Sequence, residues 1–219
     1  MAQHNLSSLA IFFFLLFSSL AKVESSLARS NSKSKTDIES SCEGTLYPEI
    51  CIRYLSKFGT NPNSTTGGPQ RLAHIALSVS LARAVHTRGY LLEMAKELKE
   101  IENKKVYLTV QDCVNQINDS VDQLSQAIRE LRRLDKFGSA INDKMLWHIS
   151  NVETWVSTAL TDASSCVQSF PGHRMSKKIA SIKVKAKNVA EVTSNALALF
   201  HRYATAYRQA AAARTTKKP

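Results

Sequence analysis

Glycine is scarce in this 219-residue chain, with seven residues, and proline is scarcer still at five. That excludes glycine-rich phosphate cradles and leaves few breakers to interrupt long helices. There is no Gly-x-Ser-x-Gly, no His-Glu-x-x-His and no Cys-x-x-Cys, so the motif-borne routes to a serine hydrolase, a zinc peptidase or a zinc ribbon are closed. Acid is short relative to base: 18 Asp and Glu face 29 Lys and Arg, a formal charge of +11. Long hydrophobic runs are missing except for Leu9–Phe17. Nine apolar residues are too few to cross a hydrocarbon core about 30 Å thick.

That run, followed by small residues and then Lys22-Val23-Glu24-Ser25-Ser26, reads as a signal peptide over 1–25 with cleavage between 21 and 26. The expectation is a secreted protein with no membrane anchor after cleavage. Residues 26–36 are polar and basic and form a flexible lead-in. Residues 37–206 are enough for one domain with a sizeable core, and 207–219 are expected to fray as a basic tail. A basic secreted surface suits an acidic polymer or protein partner, such as acidic pectin. The sequence has no zinc finger and no glycine-aromatic RNA signature, so nucleic acid is excluded as the partner.

Four cysteines, Cys42, Cys51, Cys113 and Cys166, allow three pairings. Cys42 and Cys51 are close enough to clip a turn built with Gly44 and Pro48, which leaves Cys113 for Cys166. No histidine stands at ligand spacing from any of them, so no metal or cofactor is expected.

Apolar residues recur at alternating steps of four and three in three segments. The first, within Lys105–Leu134, runs Val110, Val114, Ile117, Val121, Leu124, Ile128, Leu131. The second runs Ile149, Val152, Val156, Ala159, Ala163, Cys166, Phe170, and the third runs Ile182, Ala186, Val189, Thr193, Ala196, Phe200, Tyr203, Tyr207. Pro69 to Ile101 reads as a further helix with a broader apolar face of Leu72, Ile75, Ala76, Val79, Leu81 and Val85. Short breaks at Gly67-Gly68-Pro69, Asn103-Lys104, Phe137-Gly138-Ser139 and Pro171-Gly172 make neighbours antiparallel. The fold class is all-α: an up-down-up-down four-helix bundle preceded by a small N-terminal helical hairpin over Thr36–Phe58. In such a bundle the start of the second long helix lies beside the end of the third, which agrees with a Cys113–Cys166 bond.

Candidate catalytic groups are few. His74, His86, His148, His173 and His201 are scattered singly and read as surface or cap residues. Glu97 and Glu100 alternate with Lys96 and Lys99 on a solvated face. Ser150 with Glu153 has the spacing of a capping box that would open the third long helix.

Cys42-Glu43-Gly44-Thr45-Leu46-Tyr47-Pro48-Glu49-Ile50-Cys51, the distant Asp112-Cys113, and Asn151-Val152-Glu153-Thr154-Trp155-Val156-Ser157-Thr158-Ala159-Leu160-Thr161 leading to Cys166 together resemble the plant invertase/pectin methylesterase inhibitor family. Val192-Thr193-Ser194-Asn195-Ala196-Leu197-Ala198-Leu199 adds to that resemblance, which covers about Asp37 to Ala206. It implies the same bundle and disulfides, export to the cell wall, and tight reversible binding to a carbohydrate-active enzyme. Two partners are implied: pectin methylesterase and, alternatively, acid invertase. For the esterase, Asp119, Asp122 and Asp162 occupy positions where the family places acids, while Asn115 and Gln168 stand where an acid is expected. For invertase, Asp135-Lys136-Phe137 keeps Lys136 and Phe137 of a Pro-Lys-Phe element but not its proline, whose fixed φ preorganises an inserting loop. That loss and the Asn151–Ser157 stretch favour the esterase. Two glycosylation sequons follow the leader, at Asn63 in a polar loop and at Asn118, which is expected to point outward beside the acids.

Overall fold

The computed structural model describes residues 37–58, 68–100, 104–134, 143–172 and 174–215, and among these every regular element is helical. The leader, the lead-in to residue 36, Asn63, Asp135-Lys136-Phe137 and His173 lie outside the described residues. No helix among those described is long and apolar enough to cross a membrane.

Helix α1 spans 37–43 and α2 spans Pro48–Leu55, with a 3₁₀ turn at Ser56–Phe58. Thr45 closes the bend between α1 and α2 by donating both its N–H and its hydroxyl to the Cys42 carbonyl, at 2.9 and 2.7 Å. Pro48 then opens α2 at a position where a missing N–H costs nothing. The Cys42–Cys51 disulfide clips the two arms together, with Cα atoms 5.6 Å apart.

Four long helices follow: α3 (Pro69–Leu98), α4 (Lys104–Leu134), α5 (Asp143–Gln168) and α6 (Lys177–Thr215). Each packs on the next, and α6 returns to α3, which closes an up-down-up-down ring. The three periodic seams are the core: Val110, Ile117, Leu124 and Leu131 from α4, Ile149, Val152, Val156 and Ala163 from α5, and Ile182, Ala186, Val189 and Phe200 from α6 are all buried.

The inner face of α3 differs from the apolar face expected there. Ala73, Ala76, Leu77, Ser80, Ala84, Thr87, Leu91, Ala95 and Leu98 point inward, whereas Leu72, Ile75, Val79 and Leu81 only flank the core and Val85 is 41% exposed. Small residues bring α3 close to α6, where the Ser80 and Thr193 hydroxyls bond to each other inside the core. Hydropathy alone favours the larger flanking residues and misses such a face.

Three further expectations are corrected. Helix α5 begins at Asp143, so Ser150 and Glu153 are mid-helix and form no capping box; Glu153 binds α6 instead. His148 is buried, not a surface or cap residue, because it pairs with the equally buried Glu130. The tail expected to fray from 207 continues α6 to Thr215. There Tyr207 stacks edge-on against Tyr203, Arg208 grips Glu153, and the alanines at 210–213 have the highest helix propensity.

The hairpin is anchored on α6. Asn195 accepts from the Tyr47 N–H at 3.1 Å and donates to the Tyr47 carbonyl at 2.9 Å, while Arg202 donates to the Ser41 carbonyl. A Cβ on Gly44 would lie 1.9 Å from the Arg202 guanidinium, so only glycine lets that side chain through.

Candidate docking face

Asp119 and Asp122 are three residues apart on α4, which places both on one side of the helix, and both are exposed. Asp162 comes from α5 and is half-buried against the same seam. Burial, and then the neighbouring Asp119 charge, raise its carboxyl above the ordinary aspartate value. Its Oδ2 is buried with no hydrogen-bond partner among the described residues. The structure thus brings Asp119 and Asp162 close enough for their charges to interact across the seam, with Asp122 one turn on from Asp119 on the outward side of α4.

This face is held stiff by three ties across the α4–α5 seam. Near one end the Cys113–Cys166 disulfide draws the helices to a Cα separation of 4.6 Å. In the middle, the buried Ser120 hydroxyl reaches the Gln116 carbonyl of its own helix and, at 3.0 Å, the Ala159 carbonyl of α5. At the other end Glu130 of α4 takes a short hydrogen bond from His148 Nδ1, another from Asn151 at 3.3 Å, and a 2.7 Å ion pair from Arg133. Burial alone would raise the Glu130 carboxyl. The His148 and Asn151 hydrogen bonds, with the His148 and Arg133 charges, outweigh it and hold the group below the ordinary glutamate value. A second, half-buried acid, Glu153, ties α5 to α6: Arg208 grips both its oxygens and His201 adds a 3.0 Å bond. Here too burial is outweighed by Arg208 and His201, and the carboxyl is lowered.

Alongside the acids, α5 presents an outward stripe of Ser150, Thr154, Ser157, Thr158 and Thr161, which with Glu153 lines a shallow polar depression. Thr154, Thr158 and Thr161 each donate to the carbonyl four residues earlier, so their outward lone pairs accept hydrogen bonds. Trp147 stands at the head of this stripe, 59% exposed. The 150–161 stretch is therefore divided, with Val152, Val156 and Ala159 inward and the hydroxyls outward.

Asn115 and Gln168 are exposed. Asn118 does not point fully outward: it is half-buried and accepts from Arg88 of α3 at 3.2 Å. No group of three or more His, Cys, Asp or Glu able to hold a metal occurs among the described residues. His148, Glu130 and Arg208, which hold α5 to its neighbours, carry no chemical motif. Only their partners, distant in sequence, reveal them.

The α4–α5 pair, tied at three levels, carries exposed acids and outward hydroxyls. The chain is a disulfide-clipped four-helix bundle with a stiff, polar and acidic face. Comparisons with known proteins give it a family. The family profile "Plant invertase/pectin methylesterase inhibitor" matches residues 36–199. Pectinesterase inhibitor 9 of Arabidopsis thaliana is 38% identical over 196 residues, 89% of this chain and 93% of the relative. Pectinesterase inhibitor 11 of the same plant is 33% identical over 90% of this chain and 96% of the relative, and the 21 kDa protein of Daucus carota is 34% identical over 89% and 96%. A crystal structure of mutant form A of a pectin methylesterase inhibitor from Arabidopsis superposes with a TM-score of 0.55 at 21% identity, covering 73% of this chain and 92% of that one, which supports the fold. The chain belongs to the plant invertase/pectin methylesterase inhibitor family.

Proposed function

We propose that this chain is a secreted inhibitor of pectin methylesterase, acting in the cell wall and limiting pectin demethylesterification. The observation that carries the reading is the acidic α4–α5 face, where Asp119 and Asp162 lie within reach of each other's charge and Asp122 follows one turn on, on helices tied at three levels. The relatives named pectinesterase inhibitors, matched over about nine-tenths of the chain, support the choice of target. The bundle acts as a wedge. Its acids and outward hydroxyls meet donors beside the enzyme's substrate groove, the groove is covered, and no bond is made or broken. Because the face is preformed, little ordering entropy opposes association. Rim carboxylates speed encounter and fix register, so binding weakens as salt screens them.

Asn63 is the expected glycan site. Arg88 holds Asn118 at the α3–α4 seam, so a glycan there would first have to displace that contact. Acid invertase is the second reading, favoured by the retained Lys136 and Phe137 after α4.

The test is a titration of the refolded, disulfide-intact protein, about residues 26–219, against a panel of pectin methylesterases and an acid invertase at mildly acidic and neutral pH. Stoichiometric loss of esterase activity alone is expected. Loss of invertase activity alone moves the site to Lys136 and Phe137, and loss of neither rejects both.

A further inference from the structure

The bundle separates its charges. Helix α3 packs on α4 and α6, and α5 packs on the same two, so the α3–α6 seam lies opposite the acidic α4–α5 seam. Over 177–188, α6 carries five lysines, Lys177, Lys178, Lys183, Lys185 and Lys187, and no acid. Three of them are engaged. Lys178 pairs with Glu97 at 2.8 Å, Lys187 reaches Glu191 at 3.6 Å, and Lys183 donates to the Phe170 and Pro171 carbonyls at the end of α5. Lys177, Lys185 and Arg83 of α3 have no carboxylate partner among the described residues.

Arg83 and Lys185 are seated in two similar units. In the first, the Arg83 guanidinium lies 5.5 Å from the Tyr54 ring centroid, while Asn188 accepts from both Arg83 Nε and the Tyr54 hydroxyl. In the second, Lys185 Nζ lies 4.5 Å from the Tyr90 ring centroid, and the Tyr90 hydroxyl bonds Ser181 at 2.8 Å. Asn188 and Ser181, which hold the two ring hydroxyls, are seven residues apart on α6, so the two rings are anchored about 10 Å apart along the seam. The rings are half-buried and pinned by their hydroxyls, which fixes where each cation sits.

From these two ring-and-cation units we infer that the α3–α6 seam binds a linear acidic polysaccharide, with sugar rings against Tyr54 and Tyr90 and carboxylates meeting Arg83, Lys185 and Lys177. Two ring-and-cation units and Lys177 strung along one straight seam suit a linear polymer with repeated carboxylates better than an isolated anion. The one large apolar side chain exposed beside these lysines, Val184, is too little to enter a membrane. The choice of polymer rests on the proposed function: demethylesterification converts neutral methyl esters into carboxylates, so the esterase's product is such a polymer. An inhibitor held through one face on the product keeps its opposite face free for the enzyme.

Direct binding to polygalacturonate tests the inference, with fully methylesterified polygalacturonate, heparin and phosphatidylserine vesicles as comparators. The wild-type protein is expected to bind polygalacturonate, to bind it at least tenfold more weakly at 200 mM than at 50 mM salt, and to ignore the methylesterified form. K177Q/K185Q is expected to weaken binding about tenfold and to flatten the salt dependence, while esterase inhibition is unchanged. R129Q/R132Q, which removes the same charge from exposed positions at the C-terminal end of α4, is expected to stay within twofold of wild type. Equal loss from both variants, no loss from K177Q/K185Q, or equal affinity for heparin or vesicles would overturn the assignment. Polymer binding without esterase inhibition would reject the proposed function and leave the seam standing.

Discussion

Glu130→Ala tests how the docking face is held. The Glu130 side chain is 2% exposed and His148 is 7% exposed, so the pair is shielded from water, whereas Arg133 at 60% contributes as a surface ion pair, about 0.2–1 kcal/mol. Removing one partner of a buried pair costs about 3–5 kcal/mol. Arg133 is free to turn to solvent once unpaired, which places the loss at the lower end, about 3 kcal/mol. For a domain of this size that lowers Tm by about 6–12 °C. Urea unfolding followed by circular dichroism measures it directly. The double variant E130M/H148L removes both polar groups together and is expected to return to within about 1 kcal/mol of wild type. The sign with pH follows from the lowered Glu130 carboxyl: its contribution is present above the ordinary glutamate pKa and is lost as pH falls through the depressed folded value. The wild-type advantage over E130A should therefore shrink in acid. A loss under about 1 kcal/mol at neutral pH, or an advantage that grows in acid, would refute the reasoning.

Asn195→Ala removes both hydrogen bonds that pin Tyr47 and should cost about 1–3 kcal/mol in urea unfolding, with the hairpin amides exchanging first. C113A/C166A opens a closure of sequence separation 53 and should cost about 4 kcal/mol by the same measure. Asp162→Asn should raise stability at neutral pH, because the raised carboxyl is strained there by burial and Asp119; the gain should vanish below the ordinary aspartate pKa, and esterase binding should weaken. Intact-mass analysis of the secreted protein should find glycan at Asn63, with Asn118 unoccupied.

The bundle was legible because three helices carry their core in a strict alternation of fours and threes. Val110 to Leu131, Ile149 to Phe170 and Ile182 to Tyr203 are buried as their spacing dictates. The disulfides were legible from spacing and topology together. Helix α3 was harder to read because its inner face is made of Ala73, Ala76, Ser80, Ala84 and Thr87, which no hydropathy pattern singles out. At the candidate site, the grouping of Asp119, Asp122 and Asp162 followed from a family resemblance, and no local motif marks it. The Glu130–His148 and Glu153–Arg208 pairs join residues 18 and 55 positions apart, so the sequence showed a lone histidine and a false capping box. Long-range polar partners are set by tertiary packing, which residue spacing does not encode.

The central claim is that the α4–α5 face does the binding, and the inhibition constant of D119K/D122K against a pectin methylesterase tests it most directly. Both side chains are exposed and Asp119 repels Asp162, so the urea midpoint should not fall. Turning two attractive rim contacts into repulsive ones should cost about 3 kcal/mol, a rise of about a hundredfold in the inhibition constant at low salt, narrowing as salt increases. An inhibition constant within twofold of wild type at low salt would contradict the account.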